Sequence, residues 1–262
     1  MTPAMNMDLR GKKALVCGAS KGIGFATAQA LASQGAELIL LARDKQVLEK
    51  VVEELPGTHH IWPQDLMNIE SLQQAVSSVL ERHGEISILL NNSGGPQGGP
   101  LLQAQENELI SAFQAHVVAA HVLTQALVPG MKKLKYGRII NVLSTSVKTP
   151  LPGLGVSNTI RAAMANWAKT MSLELGPFGI TVNNVLPGYT ATDRLTSLKN
   201  ASAQRMGKSP EEIEKTWLGT IPAGRFAEPH ELASAITFLA SPAASYINGI
   251  NLPVDGGRTA SL

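Results

Sequence analysis

The glycines of Gly18-Ala19-Ser20-Lys21-Gly22-Ile23-Gly24 stand in a run that an apolar strand-like segment, Ala14 to Cys17, precedes and a helical pattern, Ile23 to Ser33, follows. A glycine-rich turn between a strand and a helix lets backbone N–H groups and the helix N-terminus approach a pyrophosphate, because no Cβ stands in the way. The spacing predicts dinucleotide binding by Gly18, Ser20, Lys21, Gly22, Ile23 and Gly24, with a plain tight turn as the alternative. The next strand-like run ends Leu40-Leu41-Ala42-Arg43. An NAD-specific site usually places an acidic residue there for the ribose 2′-hydroxyl, yet no carboxylate occurs at that tip before Asp44. Arg43 with Lys21 suits a 2′-phosphate through charge-assisted hydrogen bonds, which points to NADP(H) rather than NAD(H). The alternative is two solvated cations.

The elements that must position this turn alternate along the whole chain. Strand patterns are expected at Ala14 to Cys17, Leu38 to Leu41, His60 to Pro63, Ile86 to Leu90, Arg138 to Leu143, Thr181 to Val185 and Ile250 to Val254. Helical patterns lie between them at Ile23 to Ser33, Lys45 to Leu55, Ile69 to His83, Glu106 to Met131, Thr159 to Leu175 and Pro229 to Leu239. Such alternation predicts an α/β fold, a doubly wound parallel sheet with helices on both faces. No low-complexity linker divides residues 1–262, so one domain is expected. The least periodic stretch, Thr190 to Pro222, is polar and helix-prone; past a strand's carboxyl end it would serve as a substrate lid, or as a plain surface excursion.

Composition excludes several classes. Of 262 residues, 44% are hydrophobic and 16% charged, enough to bury a core and too apolar for a disordered chain. A net charge of +2 argues against a nucleic-acid binder. The single cysteine, Cys17, excludes a disulfide framework and a cysteine-rich zinc site. His59, His60, His83, His116, His121 and His230 show no metal-ligand spacing paired with carboxylates, so no metal is expected. Met1 to Lys13 lacks the apolar core of a secretory signal, which suggests a cytoplasmic protein. Leu109 to Met131 carries no Asp, Glu, Lys or Arg but holds His116, His121 and other polar groups that are expensive in lipid. It reads as a buried helix rather than a membrane span. With the apolar face of Thr159 to Leu175, it offers more apolar surface than one sheet face needs, so a homodimer or homotetramer is expected.

The glycine run, Asp65-Leu66 after the third strand, Asn91-Asn92-Ser93-Gly94 after the fourth, Pro187-Gly188 after the sixth and Asp255-Gly256-Gly257 near the end occur together in this order. Over about residues 8–258 the chain resembles a short-chain dehydrogenase/reductase, nearest the 3-oxoacyl-[acyl-carrier-protein] reductase-like branch. The resemblance implies a single Rossmann domain, commonly tetrameric. It places Asp65, with Leu66, at the adenine, and Asn92 and Gly94 on the adenosine side. Thr192, after Pro187-Gly188, comes at the nicotinamide end.

The resemblance also exposes departures. The family uses a serine, a tyrosine thirteen residues later, a lysine four beyond that, and an asparagine on the preceding long helix. Ser144 matches the serine, but Ser157 and Arg161 stand at the tyrosine and lysine positions, and His116 at the asparagine. A phenol titrates near 10, whereas an aliphatic hydroxyl lies nearer the roughly 15.7 of water, so Ser157 is a poor proton donor. Arg161 keeps a charge for ribose hydroxyls as a planar fork rather than a compact ammonium. His116 and Tyr189 are candidate replacement donors; the alternatives are a histidine hydrogen-bonded in a helix core and a tyrosine packed under the lid. The expectation is an NADP(H)-linked oxidoreductase acting on a carbonyl or alcohol, 3-oxoacyl-thioester-like substrates included, with a non-standard donor. The rival is a dinucleotide-binding sensor or assembly protein without redox chemistry.

Overall fold

A computed structural model describes residues 5–261; Met1 to Ala4, within the segment considered above for a signal, and Leu262 lie outside the described residues. Seven parallel strands form one sheet: β1 Lys13–Cys17, β2 Glu37–Ala42, β3 His59–Pro63, β4 Ile88–Asn91, β5 Gly137–Val142, β6 Ile180–Pro187 and β7 Asn251–Val254. Their order is β3-β2-β1-β4-β5-β6-β7, with every pairing parallel. The chain winds outward from β1 in one direction and from β4 in the other. A crevice opens beyond the carboxyl ends where the winding reverses, the place where ligands bind such sheets.

Strands buried on both sides read as continuous apolar runs, and Leu38, Ile39 and Leu40 of β2 are all fully buried. One face carries α1 Gly22–Ser33, α2 Lys45–Glu53 and α9 Pro229–Ala240, with Leu31, Leu48, Leu232 and Ile236 in a common core. The other carries α3 Ile69–His83, a long helix at 106–134 and α6 Gly155–Leu175, centred on Leu72, Leu123, Leu127 and Ala168. Starts are fixed locally: the Asp44 carboxylate accepts the Val47 N–H at 3.1 Å and Asn68 accepts that of Ser71 at 3.0 Å.

Two features differ from the sequence pattern, and a third follows its helix-prone composition. The long helix is α4 Glu106–Phe113, a π turn at Gln114–Val118 and α5 Ala119–Leu134. By length and apolarity it could cross a membrane, but Leu123, Leu127 and Met131 are buried against the sheet. α6 starts at Gly155, four residues before the expected Thr159. Gly-Val-Ser-Asn is a weak helical sequence, and tertiary bonds override it: the Asn158 amide donates to Leu151 O at 2.9 Å, while Gly155 N–H bonds Gly99 O at 3.0 Å. The polar excursion contains two helices, α7 Asp193–Met206 and α8 Pro210–Leu218, the second closed by a Ser209/Glu212 capping box.

Candidate active site

Gly18 leaves β1 with φ +65°, and a Cβ there would lie 2.6 Å from Asn92 Nδ2; at Gly24 a Cβ would run into Gly18 O. The loop therefore folds on itself only with glycine at both places. Asn92, past β4, donates to Cys17 O at 3.3 Å and to Gly18 O at 3.4 Å, tying the two strand ends at the crevice. Gly22 begins α1 with no side-chain cap at Lys21 and no acid in the first turn. Uncapped N–H groups at the positive end of a helix, in a cradle that a Cβ would fill, fit a pyrophosphate. Ser20 and Ile23 are half-buried in the same turn.

Arg43 is exposed at the tip of β2, and the adjacent Asp44 is spent on capping α2. Lys21 does not join Arg43: its ammonium pairs with Asp193 at 3.0 Å. Close packing of Gly22 on Thr192 brings the start of α7 over the glycine loop and puts Asp193 there. Thr192 Oγ1 caps α7 by accepting the Leu195 N–H. At the end of β3, Asp65 accepts the Met67 N–H at 2.9 Å, and Leu66 packs into the core beside it. Gly94 follows the β4 end, and at Gly188, after Pro187, a Cβ would lie 2.7 Å from Asp255 Cα.

The expected catalytic positions separate into two groups. His116, in the π turn and 6% exposed, and Arg161, 8% exposed, line one small cavity of about 20 Å³ with Ser93, Asn91 and Asn141; that is room for one water. Ser144 and Ser157 do not line it. Ser93 Oγ and His116 Nδ1 are 2.6 Å apart, and Arg161 Nη1 donates to Val142 O at 2.8 Å. Burial first, and the Arg161 charge second, push the His116 pKa down to about 3. At neutral pH this imidazole therefore carries no proton to give as an imidazolium. Burial and then Arg194 lower Arg161 to about 10, so it keeps its charge. Ser144 follows β5, its Oγ accepting the Ser146 N–H at 3.1 Å. Ser157 is half-buried in the first turn of α6, one turn before Arg161.

Beyond Ser144 lies a cluster that spacing could not disclose. The Tyr189 ring stacks on Trp217 at 4.6 Å and 11°, and the Arg258 guanidinium covers it at 4.5 Å. Burial raises the Tyr189 pKa, with Arg258 opposing, so the phenol is protonated at neutral pH. Arg194 of α7 reaches back to bond Pro96 O. At the other end of the sheet Glu37, His60 and His83 converge from separate elements closely enough to share a cation. There the Lys13 ammonium lies 3.3 Å from Glu37 and also bonds His83 O, already neutralising the carboxylate.

Fold and site together define a doubly wound Rossmann protein with a glycine cradle at its switch point. A family model described as Enoyl-(Acyl carrier protein) reductase matches residues 18–259. The chain belongs to the short-chain dehydrogenase/reductase family. It is 34% identical over 253 residues to a 3-oxoacyl-[acyl-carrier-protein] reductase of Vibrio cholerae, covering 96% of this chain and 98% of the relative. L-sorbose reductase from Gluconobacter frateurii, solved with NADPH and L-sorbose, superposes with a TM-score of 0.91 at 30% identity, over 98% of this chain and 100% of that one. A 7α-hydroxysteroid dehydrogenase solved with NADH and 7-oxo glycochenodeoxycholic acid gives 0.90 at 29% identity, with both chains covered fully.

Proposed function

We propose that the protein is an NADP(H)-dependent oxidoreductase that interconverts a carbonyl and an alcohol on a small molecule. The observation that carries this reading is the uncapped start of α1 in its glycine cradle at the carboxyl end of β1. Relatives solved with NADPH and with NADH show that this fold takes either. Arg43, and the absence of a free carboxylate at the β2 tip, favour the 2′-phosphate here. The loop from Gly18 to Gly24 would hold the pyrophosphate, Asp65 and Leu66 the adenine, and Asn92 and Gly94 the adenosine side. Pro187, Gly188 and Thr192 would meet the nicotinamide end, and Arg161 the ribose. Bound, the nicotinamide supplies or accepts a hydride.

The chain's own task is to orient the carbonyl and move one proton. Ser144 Oγ would hold the carbonyl oxygen. Ser157 lacks the acidity to protonate it and His116 is neutral, which leaves Tyr189. Its phenol shares a guanidinium with Thr145, the residue after Ser144. The excursion at 190–222 then acts as a lid, since α7 already rests on the glycine loop. The exposed apolar side chains of α4 and α6 suit assembly as a homodimer or homotetramer, and the working compartment is the cytoplasm.

The second reading, a dinucleotide-binding protein without redox chemistry, is favoured by one observation: the His116–Arg161 cavity holds no group able to release a proton near neutral pH. The test is NADPH oxidation against a panel of ketones, oxo acids and 3-oxoacyl thioesters. Turnover is expected, with Tyr189→Phe lowering kcat by about 10²–10⁴ while NADPH affinity changes by no more than a few-fold. NADPH binding without turnover on any member would favour the second reading.

A further inference from the structure

Arg258 lies in the turn after β7, and that turn is tightly built. Asp255 accepts the Gly257 N–H at 3.0 Å on one carboxylate oxygen and the Thr259 N–H at 2.8 Å on the other. The acid three residues before Arg258 is thus consumed by backbone and leaves the guanidinium unneutralised. Among the described residues Arg258 forms no ion pair; its three nitrogens meet only neutral oxygens. Nε points to Thr220 Oγ1 at 3.3 Å, Nη1 to Thr145 Oγ1 at 3.5 Å and Nη2 to Tyr189 OH at 3.4 Å. All three contacts are long for hydrogen bonds. They aim the fork without satisfying its five donors, while the Tyr189 ring holds its flat face. Tyr189 is itself pinned by Trp217, so the guanidinium rests on a rigid aromatic floor.

A positioned, half-buried guanidinium with no carboxylate of its own is built to receive one, because a carboxylate accepts two parallel N–H bonds from the fork. We infer that Arg258 binds a carboxylate of the substrate, and that the substrate is a short oxo acid or the corresponding hydroxy acid rather than a neutral ketone or a thioester. This rests on the oxidoreductase reading above, since it assigns the reacting carbonyl to Ser144. Thr145, which touches Arg258, follows Ser144 directly, and neighbouring Cα atoms are about 3.8 Å apart. A carboxylate held by Arg258 therefore belongs within a few bonds of the carbonyl carbon, as in a 2-oxo or 3-oxo acid. A thioester presents no charge at that distance.

The test uses the full chain and reads Trp217 fluorescence, since that indole stacks on the same tyrosine; Trp217→Phe assigns the signal. The protein is titrated with 2-oxobutanoate, acetoacetate and 3-oxohexanoate, each against its methyl ester, with and without NADP⁺. At least one acid should bind tenfold or more tightly than its ester. Arg258→Gln should bring that ratio to within about twofold, and Arg258→Lys should restore part of it. Circular dichroism and NADPH affinity report whether each variant is folded. Equal affinity for acid and ester, no saturable signal with any acid, or an undiminished ratio in Arg258→Gln would overturn the assignment. So would inorganic phosphate displacing the acids at lower concentration than the acids themselves require. Failure to bind NADPH would refute the cofactor reading alone, because the titrations without NADP⁺ still decide the acid-against-ester preference.

Discussion

Acidification below about pH 6.5 should destabilise the protein through His116. The side chain is 6% exposed, bonded to Ser93 and close to a buried guanidinium, and its pKa falls from 6.5 to about 3 on folding. The folded value lies below the unfolded one, so the unfolded chain takes up the proton first as pH drops. Stability from this source is complete above about pH 6.5 and is lost progressively toward pH 3. One pH unit of such a gap corresponds to 1.36 kcal/mol, so near pH 5 the loss is about 2 kcal/mol, a large share of the ~5–15 kcal/mol of a typical domain. His83 also titrates below its ordinary value and adds in the same direction, so the comparison must isolate one histidine. His116→Asn keeps a polar partner for Ser93 but cannot titrate. Urea unfolding of both proteins at pH 7.5 and pH 5, with m held common, should show the native protein losing about 2 kcal/mol more than the variant. Equal losses would mean that His116 is solvated or charged in the folded protein and is again able to serve as a proton donor.

Gly24→Ala should abolish NADPH binding in a fluorescence titration, because the added methyl meets Gly18 O inside the cradle; affinity within a few-fold of native would show that the cradle is not the pyrophosphate site. Native protein should bind NADPH at least tenfold more tightly than NADH, and Arg43→Asp should narrow or reverse that ratio. Light scattering at micromolar concentration should report a dimer or tetramer. Charge introduced on the outer apolar surface by Ile110→Glu, at a residue 65% exposed in the described chain, should shift it toward monomer.

How much the sequence disclosed depended on whether the signal was local. The strand and helix alternation was legible because both sheet faces are covered, which makes Leu38 to Ala42 of β2 an unbroken apolar run. The glycine turn was legible because its demand for missing Cβ atoms is met within seven residues. The start of α6 was not, since a bond from Asn158 to Leu151 and a contact with Gly99 decide it. The Ser93–His116 bond, the Glu37–His60–His83 group and the Arg258 cluster each join residues far apart in sequence, and pairings of that kind leave no spacing to read. Ser157 and Arg161 could be placed only through the family resemblance. Their packing then set them apart, Arg161 on the inner cavity and Ser157 outside it.

An α-helix advances about 100° per residue, so the single residue that a π turn adds sets the two halves of helix 106–134 out of phase by roughly that angle. Past the turn, Leu123, Leu127 and Met131 are at most 1% exposed, while ahead of it Ile110 and Phe113 stand 65% and 44% exposed. One rod thereby addresses two surfaces, its inner half the sheet and its outer half both α6, through Ala112 and Leu109, and the exterior, through Ile110 and Phe113. His116 sits at the joint between them. Removing one residue from 114–118 would restore even winding and bring the halves into step, but it would swing Ile110 and Phe113 around the axis and carry the histidine away from Ser93. The geometry of the polar cavity and the direction of the outer apolar surface are in this way set by the same inserted residue, so neither can be altered without the other.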